Sequence, residues 1–428
     1  MSSIVYYGVG KRLKNNEENF LSETGLPICM CDADTQKQHE TYIFGGDKCF
    51  ILSVEEALEK YGECDFYITV GGKHFKSCVE YLLQHGVQNK NIKTFGGLEY
   101  KLGCDNLYRY VYIQSMDIKV CAHPPYGRVF PYNNEVLSEN DVIDGIKTLE
   151  DWRIKTLEAL RRGEKTTCDG CSALQYGLYP SKPQVNILGV GPNFAGGTKC
   201  NCRCFYCNQV EAGVIGQKSN QILSNFDIHR IAGDVYDSIK EIILADGEPS
   251  LLPRLDELCE LAIKKNWSVN FNTNGILYSD VLVRALSSNP NSRVAVALDS
   301  GTRETYKKIK RVDTFDKVLE NLGKYEKAVV RIFLKYILCP GLNDNVEDMN
   351  KFVEIAKNVH ATKITLSQNF QGIVDGVKVQ KETNRNMSEN MFMCFSYLVA
   401  RLNEEGFAWD FQVEFISAHD LERMEKLR

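Results

Sequence analysis

From Val185 to Leu366 the chain repeats one pattern: a short apolar run rich in β-branched residues, a loop, then a stretch with helical spacing. The runs fall at Val185–Val190, Ile239–Leu244, Ser268–Asn272, Val294–Leu298, Val329–Leu338 and Lys363–Leu366. Strands that alternate with helices pair in parallel, because the helix supplies the long crossover that a parallel connection needs. Around six such units predict an α/β protein built on a partial (β/α)6 barrel, short of the usual eight. Chemistry in such a barrel sits at the carboxyl ends of the strands.

Ahead of the barrel, residues 1–135 read as a second α/β domain, and residues 136–182 as a linker to the barrel at 183–428. Ile4 to Tyr7 is a strand, followed by Gly8-Val9-Gly10-Lys11, a polar stretch, and a second strand through Pro27-Ile28-Cys29-Met30-Cys31 that ends in Asp32 and Asp34. This order resembles the opening unit of a Rossmann-like domain, in which an acidic residue after the second strand meets a ribose hydroxyl. Lys14 stands where the third glycine of that fingerprint belongs, so the loop leaves open both a bound nucleotide and a module used for packing or docking. A helix over Ser53–Tyr61, a strand over Asp65–Val70 and a helix over Phe75–His85 continue the domain. In the linker, Val142, Ile146, Leu149, Trp152, Leu157 and Leu160 carry helical spacing behind a Ser138 cap.

Composition removes several function classes. With 428 residues the chain is long enough for two cores. Its 51 Lys and Arg against 56 Asp and Glu give a net charge of −5 without a basic run, so no nucleic-acid partner is expected. The start has no cationic leader, and no apolar segment reaches membrane-spanning length, so a cytoplasmic protein with no membrane partner is expected.

A cytoplasmic chain with 16 cysteines is not a disulfide scaffold. Its thiols are buried and inert, redox-active, or bound to metal, and spacing sorts them. Cys29, Cys49, Cys64, Cys78 and Cys259 lie singly in apolar segments as small core residues. Cys200, Cys204 and Cys207 instead share one loop after the first barrel strand, spaced by three residues and then two. A structural zinc site takes four ligands, whereas three thiolates on a [4Fe–4S] cluster leave one iron open.

This CxxxCxxC loop, with the aromatic Tyr206 before its last cysteine, resembles that of the radical S-adenosylmethionine (SAM) superfamily, and the likeness covers about residues 183–415. Ala245-Asp246-Gly247-Glu248-Pro249 is similar to the family's GGEP segment, with Asp246 replacing a glycine. Asn272-Thr273-Asn274-Gly275 is similar to its TNG segment, Leu298-Asp299-Ser300-Gly301 ends the fourth strand, and Lys335 to Asp344 looks like its fifth-strand region. The resemblance implies a [4Fe–4S] cluster on Cys200, Cys204 and Cys207, and SAM beside Tyr206, Gly247, Glu248, Asn272, Asn274 and Ser300. The Gly247-Glu248 segment would meet its amino group and Lys335 its carboxylate. It also implies an electron donor such as flavodoxin or ferredoxin, reductive cleavage of SAM, and hydrogen-atom abstraction from a small-molecule substrate. Cys339, at the end of a barrel strand, is the thiol best placed to return a hydrogen atom, against the competing reading of a buried residue before a Pro-Gly turn.

Cys168-Asp169-Gly170-Cys171 is a CxxC pair that could form half of a second Fe–S or zinc site, with Cys202 and Cys104 or Cys121 as partners, or a plain surface turn. Cys202 otherwise reads as a passive loop position, and His123, His229 and His360 lack metal-type spacing. The Rossmann-like domain favours a carbohydrate or nucleotide-linked substrate undergoing epimerisation, oxidation or rearrangement. A cobalamin-dependent methylase is the nearest rival, although no Asp-x-His-x-x-Gly segment precedes the barrel. A peptide-modifying enzyme and a non-catalytic Fe–S or SAM-binding sensor also remain open.

Overall fold

In a computed structural model, residues 3–70, 73–94, 98–113, 118–120, 128–129, 139–169, 171, 174–191, 193–194, 197–198, 200–207, 236–245, 247–252, 254–328, 330–368, 387–412, 420, 423–424 and 426 are described. The chain divides into two units that exchange segments: Met1–Tyr108 with Lys155–Gln184, and Arg109–Ile154 with Val185–Arg428. The expected division at 135 and 182 therefore differs from the observed one. Among the described residues no helix is long and apolar enough to cross a membrane.

In the first unit the sheet runs in the order Gln175–Pro180, Leu98–Gly103, Ile92–Thr94, Asp65–Ile68, Ile4–Tyr7, Cys29–Cys31, Asp47–Leu52 and Thr41–Phe44. Ile4–Tyr7 pairs in parallel with both Cys29–Cys31 and Asp65–Ile68, which is the doubly wound arrangement that the opening residues suggested. Alternate side chains serve opposite layers: Val5 and Tyr7 pack with Phe66, Ile68 and Val79, whereas Tyr6 packs with Phe20, Met30 and Phe44. Both faces are thus covered, as a parallel sheet requires.

The acid after the second strand is already engaged. Asp32 Oδ2 accepts from the Val9 amide at 2.6 Å, its Oδ1 accepts from the Asp34 amide at 2.9 Å, and Lys37 lies 3.5 Å away. Asp32 thereby closes its own glycine loop. Helix Val54–Tyr61 begins with a capping box in which Ser53 and Glu56 bond each other's backbone amides. Ser53→Ala is expected to lower the unfolding free energy of this unit by about 1 kcal/mol, read by urea denaturation; an unchanged midpoint would contradict the cap's role.

The second unit holds the barrel sheet, ordered Arg128–Val129, Ile118–Lys119, Tyr110–Ile113, Ile187–Val190, Glu241–Leu244, Ser268–Thr273, Arg293–Ala297, Ile332–Leu338, Lys363–Gln368 and Trp409–Phe411. From Tyr110–Ile113 to Trp409–Phe411 every neighbour pair is parallel. The expected six strands are all present, and a parallel strand is added on each side of them. Tyr110–Ile113, expected in the amino-terminal domain, pairs instead with Ile187–Val190. The chain between them includes helix Glu139–Arg161, read from sequence as a linker but serving as a crossover. Along Arg293–Ala297 alternate residues are buried against the helices, and the intervening ones face the partly open concave side.

Candidate active site

The cysteine loop lies along the end of a helix. The Arg203 amide donates to the Lys310 carbonyl and the Phe205 amide to the Ile309 carbonyl, each at 3.0 Å, so two of the orphan carbonyls at the end of helix Arg303–Lys310 are satisfied by the loop. These bonds flank Cys204. The Cys207 amide donates back to the Cys204 carbonyl at 3.0 Å, which curls the loop's last turn.

Cys202 is more than a passive spacer. It is 1% exposed, and its thiol reaches both the Cys200 and Cys204 sulfurs. These hydrogen bonds push the Cys202 thiol up and bring Cys200 and Cys204 down, so the two outer sulfurs favour the thiolate, the form that ligates iron. Among the described residues no three His, Cys, Asp or Glu side chains gather tightly enough to hold a single metal ion. A [4Fe–4S] cluster spreads its thiolates more widely than one ion does, since each meets a different iron.

Beneath the loop is a buried charged group that the sequence reading did not single out. Lys310 is 1% exposed and Asp299 fully buried, and their side chains meet at 2.5 Å. The Tyr206 hydroxyl donates to the same Asp299 oxygen at 2.6 Å and lies 2.9 Å from the Lys310 ammonium. Asp299 Oδ1 accepts from the Ile337 amide at 2.9 Å, which joins the ends of two barrel strands. Burial alone would discharge Lys310, but Asp299 and Cys204 outweigh it and keep the ammonium protonated. Its helix, RETYKKIK, reads as a solvated charge run. The available signal was Tyr306, one turn before Lys310 on the same helical face, and itself fully buried.

On the neighbouring strand ends, Glu248 organises a second network. Its buried carboxylate accepts from the Thr273 hydroxyl at 2.7 Å, the Asn274 amide at 2.8 Å, and both the amide and hydroxyl of Ser250. The Asn274 side chain in turn donates to Asn201 Oδ1 at 2.5 Å and lies 3.9 Å from Cys200 Sγ. The GGEP-like and TNG-like segments are thereby tied to the cysteine loop through side chains.

Several expected roles change. Glu248 is fully buried and bonded to Ser250, Thr273 and Asn274, so it props the strand ends, whereas neighbouring Gly247 is exposed; Asp246 lies outside the described residues. Ser300 is also fully buried, bonded to Thr302 and to Asp348 of helix Val346–Asn358. Cys339 has no exposed surface. It packs with Ile309, Ile337, Phe205, Tyr206 and Leu342, and its thiol donates to the Ile337 carbonyl at 3.3 Å. The structure thus places Cys339 in the core, just before the Pro-Gly turn. Asn272 and Lys335 are half-buried, with Asn272 Nδ2 3.5 Å from the Leu244 carbonyl and Lys335 bonded to Gln412.

Cys168 and Cys171 form a turn in which the Cys171 amide donates to the Cys168 carbonyl at 3.0 Å. Both are half-buried and belong to the first unit, while Cys202 belongs to the second; Cys121, His123 and His229 lie outside the described residues. No third ligand joins the pair among the described residues. His360 is exposed beside Glu326.

Burial pushes the Cys29 thiol up to about 11 and the Cys259 thiol up to about 12. The fold stabilises their neutral form, so this contribution is complete below the ordinary thiol pKa of about 8.5 and is lost as pH rises through the folded values. Mass mapping after iodoacetamide treatment at about pH 8 should find both unmodified in the native chain and modified in urea. Rapid native labelling would contradict their core placement.

Residues 196–354 match the family model of the Radical SAM superfamily. That stretch is similar to a radical SAM domain. It is 32% identical over 171 residues to a probable GTP 3′,8-cyclase of Saccharolobus islandicus (strain Y.N.15.51 / Yellowstone #2), covering 39% of this chain and 53% of that one. It is 28% identical over 177 residues to the GTP 3′,8-cyclase of Aliarcobacter butzleri (strain RM4018), covering 38% and 54%. The chain thus spans about half the length of the curated relatives it matches. Among solved structures, Streptococcus suis SuiB bound to S-adenosylmethionine is similar with a TM-score of 0.43 at 12% identity, covering 64% of this chain and 57% of that one. TYW1 with a lysine-pyruvate adduct is similar with a TM-score of 0.33 at 20% identity, covering 52% and 71%.

The donor set fits the family's cofactors. Two thiols biased toward thiolate flank a buried cation's helix end, a third cysteine completes the spacing, and an asparagine amide reaches the first sulfur.

Proposed function

We propose that this chain is a radical SAM enzyme that acts on a nucleotide-linked or carbohydrate small molecule, with epimerisation, oxidation or rearrangement as the outcome. The observation that carries this reading is the continuous bonding from Glu248 through Asn274 to Asn201 and Cys200, which ties cluster loop and strand ends into one rigid mouth. When bound, the cluster and SAM supply one-electron cleavage of a carbon–sulfur bond and a carbon radical that removes a hydrogen atom.

Cys200, Cys204 and Cys207 would hold three irons. The exposed Gly247 backbone would meet the SAM amino group, Lys335 its carboxylate, and Asn272, Asn274 and the partly exposed Tyr206 ring would line its nucleoside. Glu248 holds Thr273 and Asn274 in place, and Lys310 and Asp299 hold the hydroxyl of Tyr206. The electron would come from a small redox protein such as flavodoxin or ferredoxin.

The likeness to proteins named for cyclising GTP favours the nucleotide over the free sugar. The test is anaerobic incubation of reduced chain and SAM with deuterated GTP, nucleotide sugars, free sugars or peptides, followed by mass spectrometry of 5′-deoxyadenosine. Deuterium is expected from a nucleotide-linked substrate; transfer from peptides alone would overturn the proposed substrate class.

A further inference from the structure

Helix Arg303–Lys310 points its carboxyl end at the cysteine loop. That end carries the negative pole of the helix dipole, which by itself disfavours adding an electron to an adjacent cluster. The last residue of the helix is also the site's buried cation. Its carbonyl holds Arg203, the Ile309 carbonyl holds Phe205, and its ammonium lies against Asp299 and Tyr206.

We propose that Lys310 is a positioning residue that sets the reduction potential of the cluster held by Cys200, Cys204 and Cys207. This rests on the cluster reading of the loop. Taking up one electron adds one negative charge to the cluster and transfers no proton. A buried ammonium stabilises that added charge far more than an exposed one does, because little water screens it. Asp299 fixes the ammonium, and its own charge is spread over the Ile337 amide, the Tyr206 hydroxyl and Lys310. The carboxylate therefore opposes the cation's effect only in part.

The full chain is reconstituted anaerobically with iron and sulfide, iron content is counted, and the cluster is titrated against potential by EPR. Wild type is compared with Lys310→Met, Lys310→Arg, and the double variant Asp299→Asn with Lys310→Met, which leaves no unpaired buried charge. At a fixed potential the ratio of reduced to oxidised cluster should fall on the order of tenfold in Lys310→Met. It should fall less in the double variant and stay near wild type in Lys310→Arg. Wild-type potentials in both methionine variants at full iron content would overturn the proposal. So would folded double variant that binds no iron, since Lys310 would then act on assembly alone. A wild-type chain that assembles no cluster would instead overturn the cluster reading itself.

Discussion

Replacing Cys204 with alanine is expected to abolish formation of 5′-deoxyadenosine from SAM and to remove most of the iron–sulfur absorbance of the anaerobically reconstituted chain. The loop places Cys204 between the two backbone bonds to Ile309 and Lys310, which fix its backbone against the helix end. It is also biased toward thiolate by the Cys202 thiol and the Lys310 ammonium. Loss of one ligand from three leaves a second iron without a thiolate, which exposes the cluster to solvent and oxidation. The rate of 5′-deoxyadenosine production, measured by chromatography with dithionite as reductant, should drop by at least about a hundredfold, equivalent to about 2.7 kcal/mol of barrier. Cys202→Ser should keep most of the iron, because Cys202 is a hydrogen-bond donor to its neighbours in this structure. Equal loss in Cys202→Ser and Cys204→Ala would contradict the ligand assignment.

The second large effect is on stability. A Cβ at Gly301 would lie 2.0 Å from the Asp348 carbonyl oxygen and 2.4 Å from the Phe352 amide nitrogen, both backbone atoms of helix Val346–Asn358. Backbone in a packed helix cannot step aside as a side chain does. Gly301→Ala is expected to cost about 3 kcal/mol in unfolding free energy, measured by guanidinium titration. The same substitution separates Gly301 from Asp348, whose carboxylate accepts the Gly301 amide at 3.0 Å and the Tyr336 hydroxyl at 3.0 Å. The strand end that carries Asp299 should loosen with it, so cluster retention should fall in parallel. A loss below about 0.5 kcal/mol would mean that the helix and strand end are less tightly packed than observed.

The barrel was legible because its alternation of apolar runs and helical stretches is local, and each of the six runs overlaps an observed strand. Tyr110–Ile113 was not, because only its partner Ile187–Val190, more than 70 residues later, identifies the sheet it joins. Gln175–Pro180 was hidden for the same reason, since its partner Leu98–Gly103 lies on the far side of the long crossover helix. In the site, the three cysteines were legible from spacing and the strand-end segments from their short polar residues. Spacing says nothing of burial, however. Glu248, Ser300 and Cys339 sit at the right ends of the right strands yet are fully buried. Lys310 failed to stand out for the opposite reason: its charge looks solvated in a helix of charges, and only the approach of Asp299 and Tyr206 from other elements makes it part of the site.

The proposed three-thiolate loop with an open iron is tested most directly by the EPR spectrum of the reduced, reconstituted chain with and without SAM. A reduced [4Fe–4S] signal whose g-values shift when SAM is added is the predicted result, because SAM would ligate the iron that lacks a thiolate. A spectrum that SAM leaves unchanged would mean that the cluster is closed by a fourth protein ligand, and would contradict this account of the site.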